Sequence, residues 1–94
     1  MRAVQLADIE CAMRHLLQVP PAQRRAAMAD LLARADSADR YRKRLRRRHP
    51  DFGDGTLMAA AMGQGVAPRP AACDAQVLAC LDIVITVLRA RKAR

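Results

Sequence analysis

Cys11 and His15 stand four residues apart, a spacing that on a helix would place a thiol and an imidazole on one face as a zinc pair requires, and Cys73 and Cys80 could complete four ligands. Structural zinc pairs come from C-x(2–4)-C turns, however, and this chain has none, so the three cysteines read as free thiols in small core positions and no metal is expected. An odd number of thiols without framework spacing suits a reducing compartment. Asp51-Phe52-Gly53-Asp54-Gly55 carries the Asp-Phe-Gly of a kinase magnesium site and the opening of a calcium loop. A kinase needs a far longer chain and several other motifs, and a calcium loop needs a distal Glu where this sequence runs on as Leu57-Met58-Ala59. The segment therefore reads as a turn between helices. Ser37, Thr56 and Thr86 stand in no glycine-rich elbow and beside no orienting acid, and no phosphate-binding loop occurs, so neither an enzyme nor a cofactor is expected.

The chemistry that remains is electrostatic. The chain has 94 residues and a formal charge of +8, and the excess sits in two blocks. Residues 40–49, Arg-Tyr-Arg-Lys-Arg-Leu-Arg-Arg-Arg-His, hold six Arg and one Lys without an acid, and Arg89, Arg91, Lys92 and Arg94 close the sequence. Mixed-sign helices are solvated by i,i+4 pairing, whereas a one-sign run repels itself and calls for a counter-charge from outside. Guanidinium forks match phosphate bidentately, so a polyanion is the expected partner. The candidate contact residues are Arg40, Arg42, Lys43, Arg44, Arg46, Arg47, Arg48, Arg89, Arg91 and Lys92.

Elements must position these charges. Leu6, Ile9, Met13, Leu16 and Leu17 recur at helical spacing and predict a helix over residues 4–19, ended by Pro20-Pro21. Residues 22–48 contain neither Pro nor Gly and are rich in Ala, Leu and Arg, which predicts one long helix of about 40 Å. Met28, Leu31, Ala35, Ala38 and Leu45 give it a coiled-coil-like seam, so its distal half must protrude or pair. At about 100° per residue its cations would cover about 240° of the circumference, leaving a wedge for Tyr41, Leu45 and Ala38. His49-Pro50 stops this helix. Thr56 or Asp54 caps a short helix over 57–62, with Gly63 at its end. After the extended linker Gly65–Pro70, Asp74 caps the helix 75–92, whose wide apolar face of Val77, Leu78, Leu81, Val84, Ile85 and Leu88 is expected to form the core.

The fold class expected is all-α: one domain over 1–94, three to four helices with one long, partly coiled-coil-like helical hairpin. Of its apolar residues 20 are Ala and only Tyr41 and Phe52 are aromatic, so the core is thin. A domain of this size buries roughly 60–65% of its unfolded surface, and self-association is the expected remedy. Asp8 and Glu10 interrupt any export signal, and Val77–Leu88 is too short and, with Asp82, too charged to span a bilayer. A soluble cytoplasmic protein without membrane contact is expected. The short helix Leu57–Met62 offers no Arg, Asn, Gln or Lys to base edges, so binding to nucleic acid would be blind to sequence.

Asp39-Arg40-Tyr41-Arg42, followed by His49-Pro50-Asp51-Phe52-Gly53-Asp54-Gly55-Thr56-Leu57-Met58-Ala59-Ala60-Ala61 and preceded by Leu17-Gln18-Val19-Pro20-Pro21-Ala22-Gln23-Arg24-Arg25, resembles a small family of alphaproteobacterial proteins. These in turn resemble the first gene product of gene transfer agent clusters, proposed to be the small terminase subunit. The resemblance covers most of the chain. It implies a DNA-packaging component that oligomerises, engages double-stranded DNA and hands it to the large terminase motor. The sequence departs from phage small terminases in lacking a DNA-reading helix-turn-helix, which suits packaging with little sequence choice. The alternative is a helical adaptor that binds no nucleic acid and docks its Arg block on an acidic partner protein.

Overall fold

The computed structural model describes residues 1–92, so Arg94 of the terminal basic run lies outside the described residues. Among the described residues four α-helices form, α1 (Leu6–Leu16), α2 (Arg24–Leu45), α3 (Leu57–Gln64) and α4 (Ala75–Lys92), with one 3₁₀ turn at Pro21–Gln23 leading into α2. No strand occurs among the described residues, and the fold is all-α as the sequence predicts.

Helix α1 is shorter than the expected 4–19, because the Asp8 carboxylate fixes its start. Asp8 Oδ2 accepts the Gln5 amide at 2.7 Å, while Oδ1 accepts the Met58 amide in the first turn of α3 at 2.8 Å. One buried carboxylate thus serves the positive ends of two helices. Turning Asp8 inward rotates the buried face of α1 onto Cys11, Ala12, Met13 and Leu16, and Leu6, expected in the apolar face, is 86% exposed. At the other end the carbonyls of Leu16 and Val19 both accept Arg24 Nε at 3.0 Å, and Arg24 Nη1 reaches Gln76 Oε1 at 3.0 Å. Arg24 is buried without an acid because it satisfies the negative end of α1.

Helix α2 begins two residues later than expected and ends at Leu45 instead of Arg48. Arg46 is left-handed, φ 56°, and its N–H donates to the Arg42 carbonyl at 2.7 Å. His49, held before Pro50, cannot continue the helix, and the left-handed residue folds the chain back toward the body. The seam residues Met28, Leu31, Ala35 and Ala38 are fully buried within this one chain, and only Leu45, 48% exposed, is left over. The distal half is therefore covered as far as Asp39, while Arg40, Lys43, Arg44 and Leu45 in its last turns are exposed. Helix α2 as a whole packs against α1, α3 and α4 and is about 33 Å long.

Thr56 caps α3 as expected, its Oγ1 accepting the Ala59 amide at 3.1 Å. The helix runs on to Gln64, and its terminating glycine is Gly65 (φ 93°) rather than Gly63. Asp74 Oδ1 caps α4 by accepting the Val77 amide at 2.9 Å. The expected core face of α4 is corrected by the packing: Val77, Cys80 and Val84 are buried, but Leu78 and Ile85 are 55% and 44% exposed. With neighbours on one side only, α1 and α2, the helix has more apolar surface than the fold can cover. The linker is tied to α1, where Arg14 Nε donates to the Ala67 carbonyl at 2.8 Å and His15 Nδ1 lies 2.7 Å from the Gly65 carbonyl.

Candidate nucleic-acid interface

The basic block divides into a helical part and a turn. Arg40, Arg42, Lys43 and Arg44 lie in the last turns of α2, whereas Arg46, Arg47 and Arg48 follow its end, so the expected helical wrap of all seven cations is not formed. The turn is built on His49, whose amide donates to the Gly53 carbonyl at 2.9 Å. His49 Nδ1 accepts the amides of Asp51 and Phe52, each at 3.0 Å, which leaves the ring proton on Nε2. The ring stacks on Phe52, centroids 4.5 Å apart and 4° from parallel, and meets Tyr41 edge-on at 4.8 Å. Arg34 lies over the other part of this stack, 5.0 Å from the Phe52 centroid, a cation–π contact. The aromatic residues that could have stacked on a base are thus occupied in holding the chain reversal.

Counter-charge comes partly from within. Asp39, 3% exposed, accepts Arg42 Nη2 at 2.8 Å and lies 3.2 Å from Lys43 Nζ. These bonds, Arg42 first, hold its carboxyl well below the usual carboxylate range despite the opposing effect of burial. Asp36 takes both terminal nitrogens of Arg91 at 2.6 and 2.7 Å, and this fork, aided by the Met1 ammonium at 2.7 Å, lowers its carboxyl to about 2. Three of the ten candidate cations, Arg42, Lys43 and Arg91, therefore have partners that sequence reading passed over. The Asp39 pairs sit at i,i+3 and i,i+4 and were visible in the spacing. Asp36 with Arg91 joins residues 55 apart and left no local signal.

Arg40 bonds only Ser37 among the described residues, Nη2 to Oγ at 3.3 Å. Among the described residues no carboxylate lies within ion-pair distance of Arg40, Arg44, Arg46, Arg47 or Arg48. Arg48 is near enough to Asp54 to add to the lowering of that carboxyl, which Thr56 chiefly causes. Arg40 and Arg44 join Ser37, Tyr41, Leu45 and His49 around an open groove of about 560 Å³. Asp36, Arg40 and Arg44 follow one another at four-residue steps, so the α4 terminus, held at Asp36 by Arg91, lies on the same side of α2 as this groove. Arg89 and Lys92 line a second groove with Arg2, Val4, Ile9, Ile85 and Leu88.

The remaining candidates resolve differently. Cys11 and Cys80 are buried, and burial pushes both thiols up, whereas Cys73, expected in the core, is exposed. His15 spends Nδ1 on the linker. Among the described residues no cluster of three His, Cys, Asp or Glu is placed to hold a metal ion, and no helix is long and apolar enough to cross a membrane. Helix α3 buries Leu57, Ala60 and Ala61 and presents only Gln64, its last residue, as a polar side chain that could meet a base edge.

Fold and charge define a small all-helical protein with a basic helix end. Residues 2–88 match a domain family of unknown function, DUF7742, and the chain belongs to that family. No curated protein and no solved structure matches it.

Proposed function

We propose that the protein is a DNA-packaging component of the small terminase kind, which binds duplex DNA through its phosphates without reading sequence and brings it to a large terminase motor. The reading is carried by five guanidinium groups, Arg40, Arg44, Arg46, Arg47 and Arg48, gathered at one helix end while the acids of α2 beside them, Asp36 and Asp39, are engaged by other cations. Arg89 and Lys92 extend this surface, and self-association would multiply it along a duplex. The His49–Ala61 motif supports the packaging role through its resemblance to gene transfer agent proteins.

Duplex binding measured by fluorescence anisotropy tests the proposal. Two unrelated duplexes should bind with equal affinity, and log K should fall with a slope of about −4 to −5 against log salt, as neutralising five phosphates requires. Silence at low ionic strength, with capture of an acidic partner lost on changing Arg44, Arg46 and Arg47 to Ala, would establish the adaptor reading in its place.

A further inference from the structure

Helix α4 carries two apolar stripes, and the fold uses one. Val77, Cys80 and Val84 are buried inside the chain. Leu78, Leu81, Ile85 and Leu88 follow one another at three, four and three residues, the spacing of a coiled-coil seam. Leu78 and Ile85 are 55% and 44% exposed. Leu81 borders Leu6 and Ile9 of α1 on one side of this face, and Ile85 and Leu88 border Val4 and Ile9 on the other. Leu6 is 86% exposed, so three of the five large apolar side chains left exposed by the fold share this surface. A contiguous patch of that kind on a small basic protein marks an interface.

We propose that this surface binds a second copy of the chain, α4 lying antiparallel to the partner's α4 about a two-fold axis between Leu81 and Ile85. The charges at the ends of the seam identify the occupant. One step before Leu78 the spacing falls on Asp74, and one step after Leu88 it falls on Lys92. An antiparallel register that sets Leu81 against the partner's Ile85 sets Leu78 against the partner's Leu88 and Asp74 against the partner's Lys92. Four apolar layers are then closed at each end by an opposite-charge pair. A parallel register would instead set Asp74 against the partner's Asp74 and Lys92 against the partner's Lys92, like charges at both ends. Asp82 and Arg89 flank the seam on its solvent side, and Leu6 adds a further apolar contact from each copy. The seam of α2 cannot serve this purpose, because all its apolar residues except Leu45 are already buried within the chain.

This interface names the surface for the self-association proposed above; it engages Lys92 but leaves the Arg40–Arg48 block, which carries the phosphate reading, free. The test is sedimentation equilibrium of the full chain without nucleic acid, over about 1–200 μM. A helix of about 27 Å contributing four layers predicts a reversible dimer of micromolar affinity. Ile85→Asp and Leu78→Lys should each give a monomer of 10.3 kDa with an unchanged circular dichroism spectrum. Lys92→Gln should weaken the dimer about three- to tenfold. A monomeric wild-type protein at 200 μM, an assembly untouched by Ile85→Asp, or an assembly strengthened by Lys92→Gln would each overturn the proposal. Arg44→Ala, Arg46→Ala and Arg47→Ala combined should leave the dimer intact while reducing DNA binding, which separates failure of one reading from failure of the other.

Discussion

Gly55 lies so close to Asp39 that a Cβ built on it would stand 2.9 Å from the Asp39 Cα. Its φ of 94° also disfavours any side chain, and its carbonyl accepts the Arg2 amide at 2.8 Å. The turn that follows the basic run is thereby seated on α2 at the residue that neutralises Arg42 and Lys43. Gly55→Ala should lower stability by roughly 2–4 kcal/mol, from backbone strain plus displacement of α2. Gly63→Ala, in a helical position with its nearest contact the Asp51 carbonyl at 3.7 Å, should raise it by about 0.5–1 kcal/mol. Urea unfolding of the two variants checks both signs.

Arg46 holds φ 56° as a non-glycine residue, a conformation that costs an L side chain about 1–2 kcal/mol. Arg46→Gly should therefore keep or raise stability, by up to about 1 kcal/mol once the entropy of glycine is set against the relieved strain. The same change should weaken duplex binding if the side chain meets phosphate. A gain in melting temperature together with a loss in affinity is the expected pair of results. Unchanged affinity would remove Arg46 from the interface.

Much of this arrangement was legible locally. The Thr56 and Asp74 caps, the Pro20-Pro21 break and the tight turn at Gly53 and Gly55 follow from residue type and neighbours alone. What was not legible depends on which face a helix turns inward. The pattern of α1 allowed Leu6 or Asp8 to be buried, and the choice fell to Asp8 because Met58, fifty residues on, needed an acceptor. By spacing alone the apolar stripe of α4 reads whole as core, but the fold has only α1 and α2 to lay against it. Residue type favours Arg46 on the helix, since Arg is a good helix former, and the return of the chain through His49 overrides that preference.

Acid should unfold the protein through Asp36 and Asp39. Both carboxyls titrate below their ordinary 3.8 in the folded chain, Asp36 near 2 and Asp39 lower still. A depressed carboxylate contributes stability that is present above its unfolded pKa and lost as pH falls through the folded one. Stability should thus be flat near neutrality, begin to decline at about pH 4 and fall until about pH 2. Asp36→Asn should lower the melting temperature at pH 7 and narrow the difference between pH 7 and pH 2.5, since the fork to Arg91 no longer titrates. An unaltered difference would mean the pair contributes nothing to the fold.

The thiols should separate by exposure. Cys73 is exposed, whereas Cys11 and Cys80 are 7% and 0% exposed and held in the protonated form by burial. Since thiolate is the reactive species, a disulfide reagent at pH 7 should titrate one thiol rapidly and two only after denaturant is added. Cys73→Ser should abolish the fast phase. Two fast thiols in the native protein would show that the core around α1 and α4 opens readily.

Salt dependence distinguishes cations that are already paired from those that are not. Each neutralised phosphate contributes a slope of about −0.9 on B-DNA, so changing Arg44, Arg46 and Arg47 together to Ala should flatten the plot of log K against log salt from about −4.5 to about −2. Arg42→Ala should behave differently. Arg42 is bound to buried Asp39 at 2.8 Å, and its loss should appear mainly as about 1–2 kcal/mol of stability, with a slope changed by less than one unit. The contrast uses neighbouring arginines of one helix end as internal controls for one another. If Arg42→Ala flattened the slope as much per charge as the triple variant, the ion pairs of α2 would have to open on DNA, and Asp39 would no longer mark the inner limit of the phosphate-binding surface.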